Sequence, residues 1–289
     1  MTIDPKDYRV HAKRALRLKD WPTRGKPFYR TERQYRAALA DQQARLDGLQ
    51  KLLWAGRRHA MLVIFQGMDA AGKDSAIGHI FASVNPEGCD VTTFGAPSVL
   101  ELRHDFLWRA VCRLPERGRI GIFNRSYNEE VLVVRVHPQM LAGEGLPPAP
   151  KHAADLWQER FRSIVNLEDH LCRNATLVVK IFLHLSHDEQ RRRLLQRIDE
   201  PDKNWKISRA DIAERQFWKQ YMDAYAACLA ATSTRIAPWY VVPADDKKNA
   251  RLIVSEILIR TLKKLDMSYP EPDEARHEEL DEMRKELGA

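Results

Sequence analysis

Met61-Leu62-Val63-Ile64-Phe65-Gln66 runs straight into Gly67-Met68-Asp69-Ala70-Ala71-Gly72-Lys73-Asp74-Ser75. Five apolar residues in a row predict a buried strand over 61–66. The segment after it fits the G-x-x-x-x-G-K part of a phosphate-binding loop and opens a helix over about 73–84. Successive backbone N–H groups in such a loop form an anion-binding nest, and the helix N-terminus adds partial positive charge. Gly67 and Gly72 allow the turn and the close approach of a phosphate, and Lys73 supplies a mobile charge. Asp74 stands where a hydroxyl residue usually holds Mg²⁺, with Ser75 one place later. A second carboxylate, Asp69, lies inside the loop. It is a route to Mg²⁺, since a bare carboxylate there would repel a polyanion, or else a local turn or capping residue.

The rest of the chain alternates strand and helix. Residues 1–60 are an arm with a helix over 31–58, carrying Tyr35, Leu39, Leu46, Leu49 and Leu53 at helical spacing and capped by Thr31. Strands are expected at 91–94, 120–123, 177–183 and 239–242. A helix starts at Pro97, with Ser98 and Glu101 at capping-box spacing, and carries Leu102, Phe106, Leu107 and Val111. Further helices run through Val136, over 153–172, from Ser186 with Glu189 as a second capping box, over 208–230 and over 247–264. Residues 138–150, rich in Pro and Gly, form a loop. This order predicts an α/β fold: a five-stranded parallel sheet with helices on both faces. The phosphate loop then lies at the carboxyl edge, where such sheets bind ligands. The core spans 61–265, and the acidic stretch 266–289 is a peripheral extension.

The chain has 289 residues, 47 basic and 40 acidic, and a net charge of +7. That balance suits an anionic partner such as a nucleotide, polyphosphate or nucleic acid. Cys89, Cys112, Cys172 and Cys228 are too scattered for a zinc site or a disulfide framework. No apolar stretch approaches the roughly 20 residues that span a bilayer. The N-terminus, Met1-Thr2-Ile3-Asp4-Pro5, lacks an apolar leader core, so a cytoplasmic protein without membrane association is expected.

Asn124, at the end of the third strand, takes the place where a magnesium-directing Asp is common. Arg125 follows. It grips phosphate with its planar fork, or pairs on the surface with Glu129. Arg191, Arg192, Arg193 and Arg197 make a basic helix that is either a solvated face or, with the turn Pro201–Lys206, a lid over a polyanion at about 186–215. Trp205 in that turn anchors a hinge or simply packs. Asp105 and Arg109 are four apart and pair on one helix face or contact substrate. His79, His137, His152, His170, His184 and His187 show no metal spacing.

With these residues in place, the chain resembles the polyphosphate kinase 2 family over about 5–265. The resemblance rests on Gly67–Asp74, on His104-Asp105-Phe106-Leu107-Trp108-Arg109 and on Phe123-Asn124-Arg125-Ser126. Lys203-Asn204-Trp205-Lys206 and Pro238–Asp245 also match. It implies a thymidylate-kinase-like, phosphate-loop core with a helical lid. It also implies reversible, Mg²⁺-dependent transfer of the terminal phosphate of inorganic polyphosphate to AMP or ADP, with Mn²⁺ as an alternative metal and guanine nucleotides as alternative acceptors. Carried over by position, Asp69 serves the metal, Lys73 the transferred phosphate and Arg125 the transfer site. Gly67, Ala70, Ala71, Gly72, Lys73, Asp74, Arg191, Arg192 and Lys203 follow the polyphosphate. Asp105, Arg109, Arg125 and Glu129 hold the nucleotide. Asn124 with Glu129 resembles the subgroup using both AMP and ADP. Tyr127-Asn128 and Gly95-Ala96 depart from that pattern and are expected to alter nucleotide preference. A dimer or tetramer is the family expectation. An ATP-dependent nucleotide kinase of the same fold is the competing reading, and a nucleic-acid-binding module, for which no reading motif is present, a distant one.

Overall fold

The computed structural model describes residues 3–11, 16–145 and 153–288. His152 and residues 146–150 of the expected loop lie outside them, as do Met1, Thr2 and Ala289. Five strands form one parallel sheet: β1 Ala60–Gln66, β2 Cys89–Thr93, β3 Ile120–Asn124, β4 Thr176–His184 and β5 Trp239–Pro243. Their spatial order is β2-β3-β1-β4-β5, so β1 is the central strand. All seven of its residues are buried. That is why it reads as an unbroken apolar run, since a parallel strand covered on both faces has no polar side.

The sheet is packed between two helical layers. Met61, Val63 and Phe65 face a core shared with α1 (Glu32–Gly56), α2 (Lys73–Ile80) and α9 (Lys247–Leu262). Leu62 and Ile64 face the opposite core, built with α4 (Glu129–Val136), α5 (Ala153–Arg173) and α8 (Trp218–Thr232). Thr31 caps α1 by accepting from the Gln34 amide at 3.2 Å. The arm helix is tied to α9 across the top of its core: Gln42 donates to the Leu252 carbonyl at 3.1 Å, and Arg251 donates to the Tyr35 hydroxyl at 2.9 Å. Earlier in the arm, the Val10 amide donates to the Trp239 carbonyl at 2.9 Å, alongside β5.

Several boundaries differ from the sequence reading. The first core helix stops at Ile80, four residues early. The Ser98–Glu101 capping box forms, with the Ser98 amide donating to the Glu101 carboxylate at 2.6 Å. It nucleates only a 3-10 turn, Glu101–Arg103, because His104 is extended at φ −112° and ψ 169°. The α-helix resumes as the short α3, Trp108–Val111. Residues 138–144 form 3-10 helix rather than plain loop. The expected 208–230 helix is two helices, α7 (Arg209–Glu214) and α8, joined through a 3-10 turn at Arg215–Phe217. The final α-helix, α10 (Glu274–Glu286), has no buried residue.

An ion pair joins β4 to the helices packed on it. Lys180, fully buried on β4, pairs with Glu168 of α5 and donates to the Thr232 carbonyl at 2.7 Å. Tyr127 donates to the other oxygen of Glu168 at 2.9 Å. This network fixes the backbone just after Arg125. Removing one partner strands a buried charge, which costs about 3–5 kcal/mol. Lys180→Met is therefore expected to lower urea-unfolding stability by about 3–5 kcal/mol, and Lys180→Met with Glu168→Leu to recover most of it. A single-variant loss under about 1 kcal/mol would remove the pair from this role.

Candidate active site

The phosphate loop lies between β1 and α2, at the carboxyl edge of the sheet. Gly67 is forced by contact, since a Cβ there would sit 2.9 Å from the Leu183 carbonyl oxygen of β4. Gly72, at φ +100°, is forced by conformation. Two non-glycine residues at the site are also left-handed: Ala70 in the loop and Arg125 at the end of β3, each at φ 64°. Such backbone costs about 1–3 kcal/mol and persists where its surroundings over-determine it. For Arg125 they do: its amide donates to the Phe65 carbonyl at 2.9 Å, which turns its side chain toward the loop.

Lys73 is buried, with Nζ donating to the Gly67 carbonyl at 2.8 Å. Burial pulls its pKa down, against the attraction of Asp69. Arg125 donates to the Asp69 carboxylate at 2.9 Å. Among the described residues neither alternative reading, an Arg125–Glu129 surface pair or a capping role for Asp69, is found: the left-handed turn aims Arg125 across at the loop. Asn124 donates to Asp74 at 2.5 Å, joining the end of β3 to the start of α2. The carboxyl of Glu129, at the start of α4, is raised by burial, against the attraction of Arg125 and Lys73.

A cleft of about 500 Å³ opens beside the loop. Asp105, Arg109, Arg125 and Glu129 all line it, so these expected nucleotide residues converge. The Asp105–Arg109 pair does not form, because the chain between them is not one helix. Asp105 instead accepts from the Leu107 amide at 2.9 Å. Arg109 donates to the Gly95 carbonyl at 2.8 Å and lies 3.6 Å from Glu130. Glu130 also lines the cleft and was not singled out from sequence. Its carboxyl is pushed up to about 7 by burial and by Glu144, against Arg160 and Arg109. Gly95 and Ala96 sit on the cleft wall. Tyr127 and Asn128 do not: both are fully buried, Tyr127 against Glu168 and Asn128 donating to Ser126 at 2.9 Å.

Helix α6 (His187–Asp199) crosses above the loop, and its arginines divide by face. Arg193 is buried and donates to the Ala70 and Ala71 carbonyls at 3.0 Å each and to Ala244 at 2.5 Å. Gln190 donates to the Asp69 carbonyl at 3.0 Å. Arg191 and Arg192 are exposed. The Ser186–Glu189 box is half formed: Ser186 accepts from the Glu189 amide at 3.1 Å. The Glu189 carboxylate, however, turns to Arg192 and Arg193, which hold it at about 2, well below the usual range. The Ser186 amide donates to Asp245 instead, at 2.8 Å. In the following turn, Lys203 pairs with Glu200. Trp205 is 77% exposed and so does not pack into the core; its indole N–H donates to the Asp202 carbonyl of the same turn at 3.0 Å.

Lys247, which sequence spacing did not mark, lies beside Gly72, its Cε 3.9 Å from where a Cβ would stand. Part of the side chain is in solvent, yet its ammonium is lowered to about 8 by lost hydration and by Arg193, Arg251, Lys203 and Arg197. Lys247 thus sits beside the loop among several other cations. Among the described residues no three His, Cys, Asp or Glu side chains gather as a metal cage. The donor set still fits a small hard cation, which takes one or two carboxylates and completes its shell with water and substrate phosphate. Asp69 and Asp74 are the carboxylates at the loop, one paired with Arg125 and the other with Asn124.

A parallel sheet with a phosphate loop on its central strand, a cleft beside it and a basic helix above defines a phosphate-loop kinase. The sequence model of Polyphosphate kinase 2 (PPK2) matches residues 29–270. The chain belongs to the polyphosphate kinase 2 family. It is 55% identical over 287 residues to an ADP-polyphosphate phosphotransferase of Rhodopseudomonas palustris, covering 99% of each chain. It is 44% identical to an AMP/ADP-polyphosphate phosphotransferase of Meiothermus ruber, covering 82% of this chain and 85% of that one. The crystal structure of polyphosphate kinase 2 from Arthrobacter aurescens superposes with a TM-score of 0.86 at 37% identity, over 97% of this chain and 98% of that one. Among the described residues no helix is long and apolar enough to cross a membrane.

The division of the arginines is testable. Arg193→Ala is expected to cost about 2–3 kcal/mol in urea unfolding, since buried carbonyls lose a charged donor. Arg192→Ala, on the exposed face, is expected to cost less than about 1 kcal/mol. Equal losses would contradict the assignment of Arg193 as the brace of the loop.

Proposed function

We propose that the protein transfers the terminal phosphate of inorganic polyphosphate to AMP or ADP, reversibly. One observation carries this: Arg125 lines the cleft and also donates to Asp69 of the loop, so one guanidinium spans both binding regions. The acceptor lies in the cleft with Arg109, Asp105 and Glu129. The donor lies along the loop, on the amides of Gly67–Lys73 and on the cations outside it. The helical segment 186–215 acts as a lid, with Arg191, Arg192 and Lys203 following the chain. Adenine nucleotides are the expected acceptors, with guanine nucleotides as alternatives, and the working assembly is a dimer or tetramer in the cytoplasm.

The chemistry asks little of a base. The terminal phosphate of AMP or ADP is already mostly ionised near neutral pH. The difficulty is bringing two polyanions together, and phosphoryl transfer is catalysed mainly by alignment and charge neutralisation. Lys73 leaves its carbonyl partners for the transferred phosphate. Arg125 stabilises the equatorial oxygens and holds the acceptor in line. Asp69 and substrate phosphates would hold Mg²⁺, or Mn²⁺ in its place, which supplies further charge neutralisation. Asn124, an amide, keeps Asp74 in position without adding negative charge.

The acceptor question is answered by supplying polyphosphate and Mg²⁺ with AMP or with ADP in separate tubes and resolving products by ion exchange. ADP and then ATP from AMP shows dual use, and product only from ADP narrows the acceptor. Product from neither contradicts the reading. Lys73→Ala is expected to lower kcat by at least about 10³-fold with the fold intact, and near-normal turnover would take the loop out of the mechanism.

Lys247 gives the pH dependence a sign. Its ordinary pKa is 10.5, lowered here to about 8, so its charge is lost as pH rises through about 8. Polyphosphate affinity should fall over that interval, and Lys247→Arg should flatten the fall because arginine stays charged. An identical pH profile in that variant would exclude Lys247 from the donor path.

A further inference from the structure

The cleft beside the loop carries an excess of acid. Five carboxyl groups line it, those of Glu101, Asp105, Glu129, Glu130 and Glu144, against the two guanidiniums of Arg109 and Arg125. A phosphate entering such a cleft meets repulsion unless some of that negative charge is removed.

Glu130 is the carboxyl group least firmly held as an anion. The residue is only 6% exposed. Among the described residues its side chain accepts one hydrogen bond, from Nη1 of Arg160 at 3.4 Å. Nη2 of Arg109 stands 3.6 Å away, past ordinary hydrogen-bond reach. Both arginines place their better contacts elsewhere. Arg160 donates to the main-chain carbonyl of Glu130 at 3.1 Å and pairs with Glu144. Arg109 donates through Nη1 to the Gly95 carbonyl at 2.8 Å. Charge-assisted bonds to a carboxylate are usually about 2.7–2.9 Å long. Glu130 has none of that length, so burial makes its charged form costly.

The same looseness leaves Arg109 available. Its Nη2 has no hydrogen-bond acceptor among the described residues, and a phosphate oxygen would give it the short contact that Glu130 does not. Taking the cleft as the acceptor site proposed above, we propose that Glu130 is a positioning residue: it holds Arg109 while the cleft is empty, yields it to the acceptor phosphate, and takes up one proton from solvent as it does so. The proton goes to a carboxyl oxygen of Glu130, no bond in the nucleotide is made or broken, and the proton returns to solvent when the nucleotide leaves. The neutral acid no longer repels the phosphate and offers it an O–H donor.

Every charged group packed around Glu130 bears on the direction of the pH dependence. Burial opposes its ionised form most. Glu144 of the 3-10 segment and Glu129 of α4 oppose it too, and Arg160 of α5 and Arg109 of α3 favour it, a balance that leaves the carboxyl at about 7. His104, stacked on Trp108 with ring centroids 4.0 Å apart, is the remaining titratable group of the cleft wall. Losing Arg109 to a phosphate dianion moves the Glu130 carboxyl higher, so acceptor affinity falls as pH rises through about 7. The second ionisation of the nucleotide phosphate lies lower, at about 6, and acts with the opposite sign.

Isothermal titration calorimetry of AMP into the full chain, without polyphosphate, measures the proton directly. Titrations at pH 7 in two buffers of different ionisation enthalpy give the number of protons taken up per nucleotide. The wild type is expected to take up about 0.4, and Glu130→Gln none. The amide mimics the protonated acid, so the variant's AMP Kd is expected to stay within about twofold between about pH 6.5 and 8, where the wild-type Kd rises about fivefold. Glu144→Gln keeps Glu130 but removes a repelling neighbour, and is expected to move the fall in affinity to lower pH. It keeps the test open should Glu130→Gln fail to fold. A purely structural Glu130 would alter stability or affinity without altering the proton count. Binding without proton uptake in the wild type overturns the proposal, as does uptake undiminished in Glu130→Gln or an unmoved pH profile in Glu144→Gln. Failure of both AMP and ADP to bind would instead overturn the reading of the cleft as the acceptor site, and this proposal with it.

Discussion

Every position at the active site is measured from the end of β1, a strand with no solvent-facing residue. Parallel pairing to β3 on one side and β4 on the other fixes it, and two apolar cores close over it. Its last residue therefore cannot move without disturbing both neighbours. The loop inherits that rigidity. Gly67 is wedged against Leu183 of β4, and Arg125 is turned left-handed by its bond to Phe65 of β1. Strained backbone on two strands faces one gap, and in that gap the cations converge.

The charge arrangement follows from the same frame. A site for two polyanions must hold positive charge in place before substrate arrives, or binding would have to supply the ordering cost. Lys73 rests on carbonyls of its own loop, Arg125 rests on Asp69, and Arg193 is committed to the loop backbone. These contacts divide the cations. Lys73 and Arg125 have partners that a phosphate and a metal can replace. Arg193 is bound to the carbonyls of Ala70, Ala71 and Ala244, so it acts as scaffold.

Much of this was legible in the sequence, for a definable reason. The buried strand, the glycine-spaced loop and the capped arm helix are set by neighbouring residues, and local spacing reports them. The convergence of Asp105, Arg109, Arg125 and Glu129 on one cleft follows from strand order at the carboxyl edge, though the spacing wrongly suggested a direct Asp105–Arg109 pair. What spacing could not give was decided across the fold. Glu189 sits at capping distance from Ser186, yet two arginines and Asp245 compete for those groups and win. Arg191, Arg192 and Arg193 look alike in sequence, and only helix phase over the loop separates them. Lys247 and Glu130 carry no motif. Their importance comes from charged neighbours that the fold brings together, and from burial that composition does not reveal.

The central claim is that the loop and its cations serve a polyphosphate donor. The most direct measurement is a donor comparison: ³²P-labelled polyphosphate and γ-³²P-labelled ATP, offered separately to the same enzyme with unlabelled AMP and Mg²⁺, with label in the nucleotide products followed over a single turnover. The account predicts rapid transfer from polyphosphate in the absence of any ATP. Label arriving from ATP alone, with none from polyphosphate, would contradict it and leave an ATP-dependent nucleotide kinase on the same scaffold.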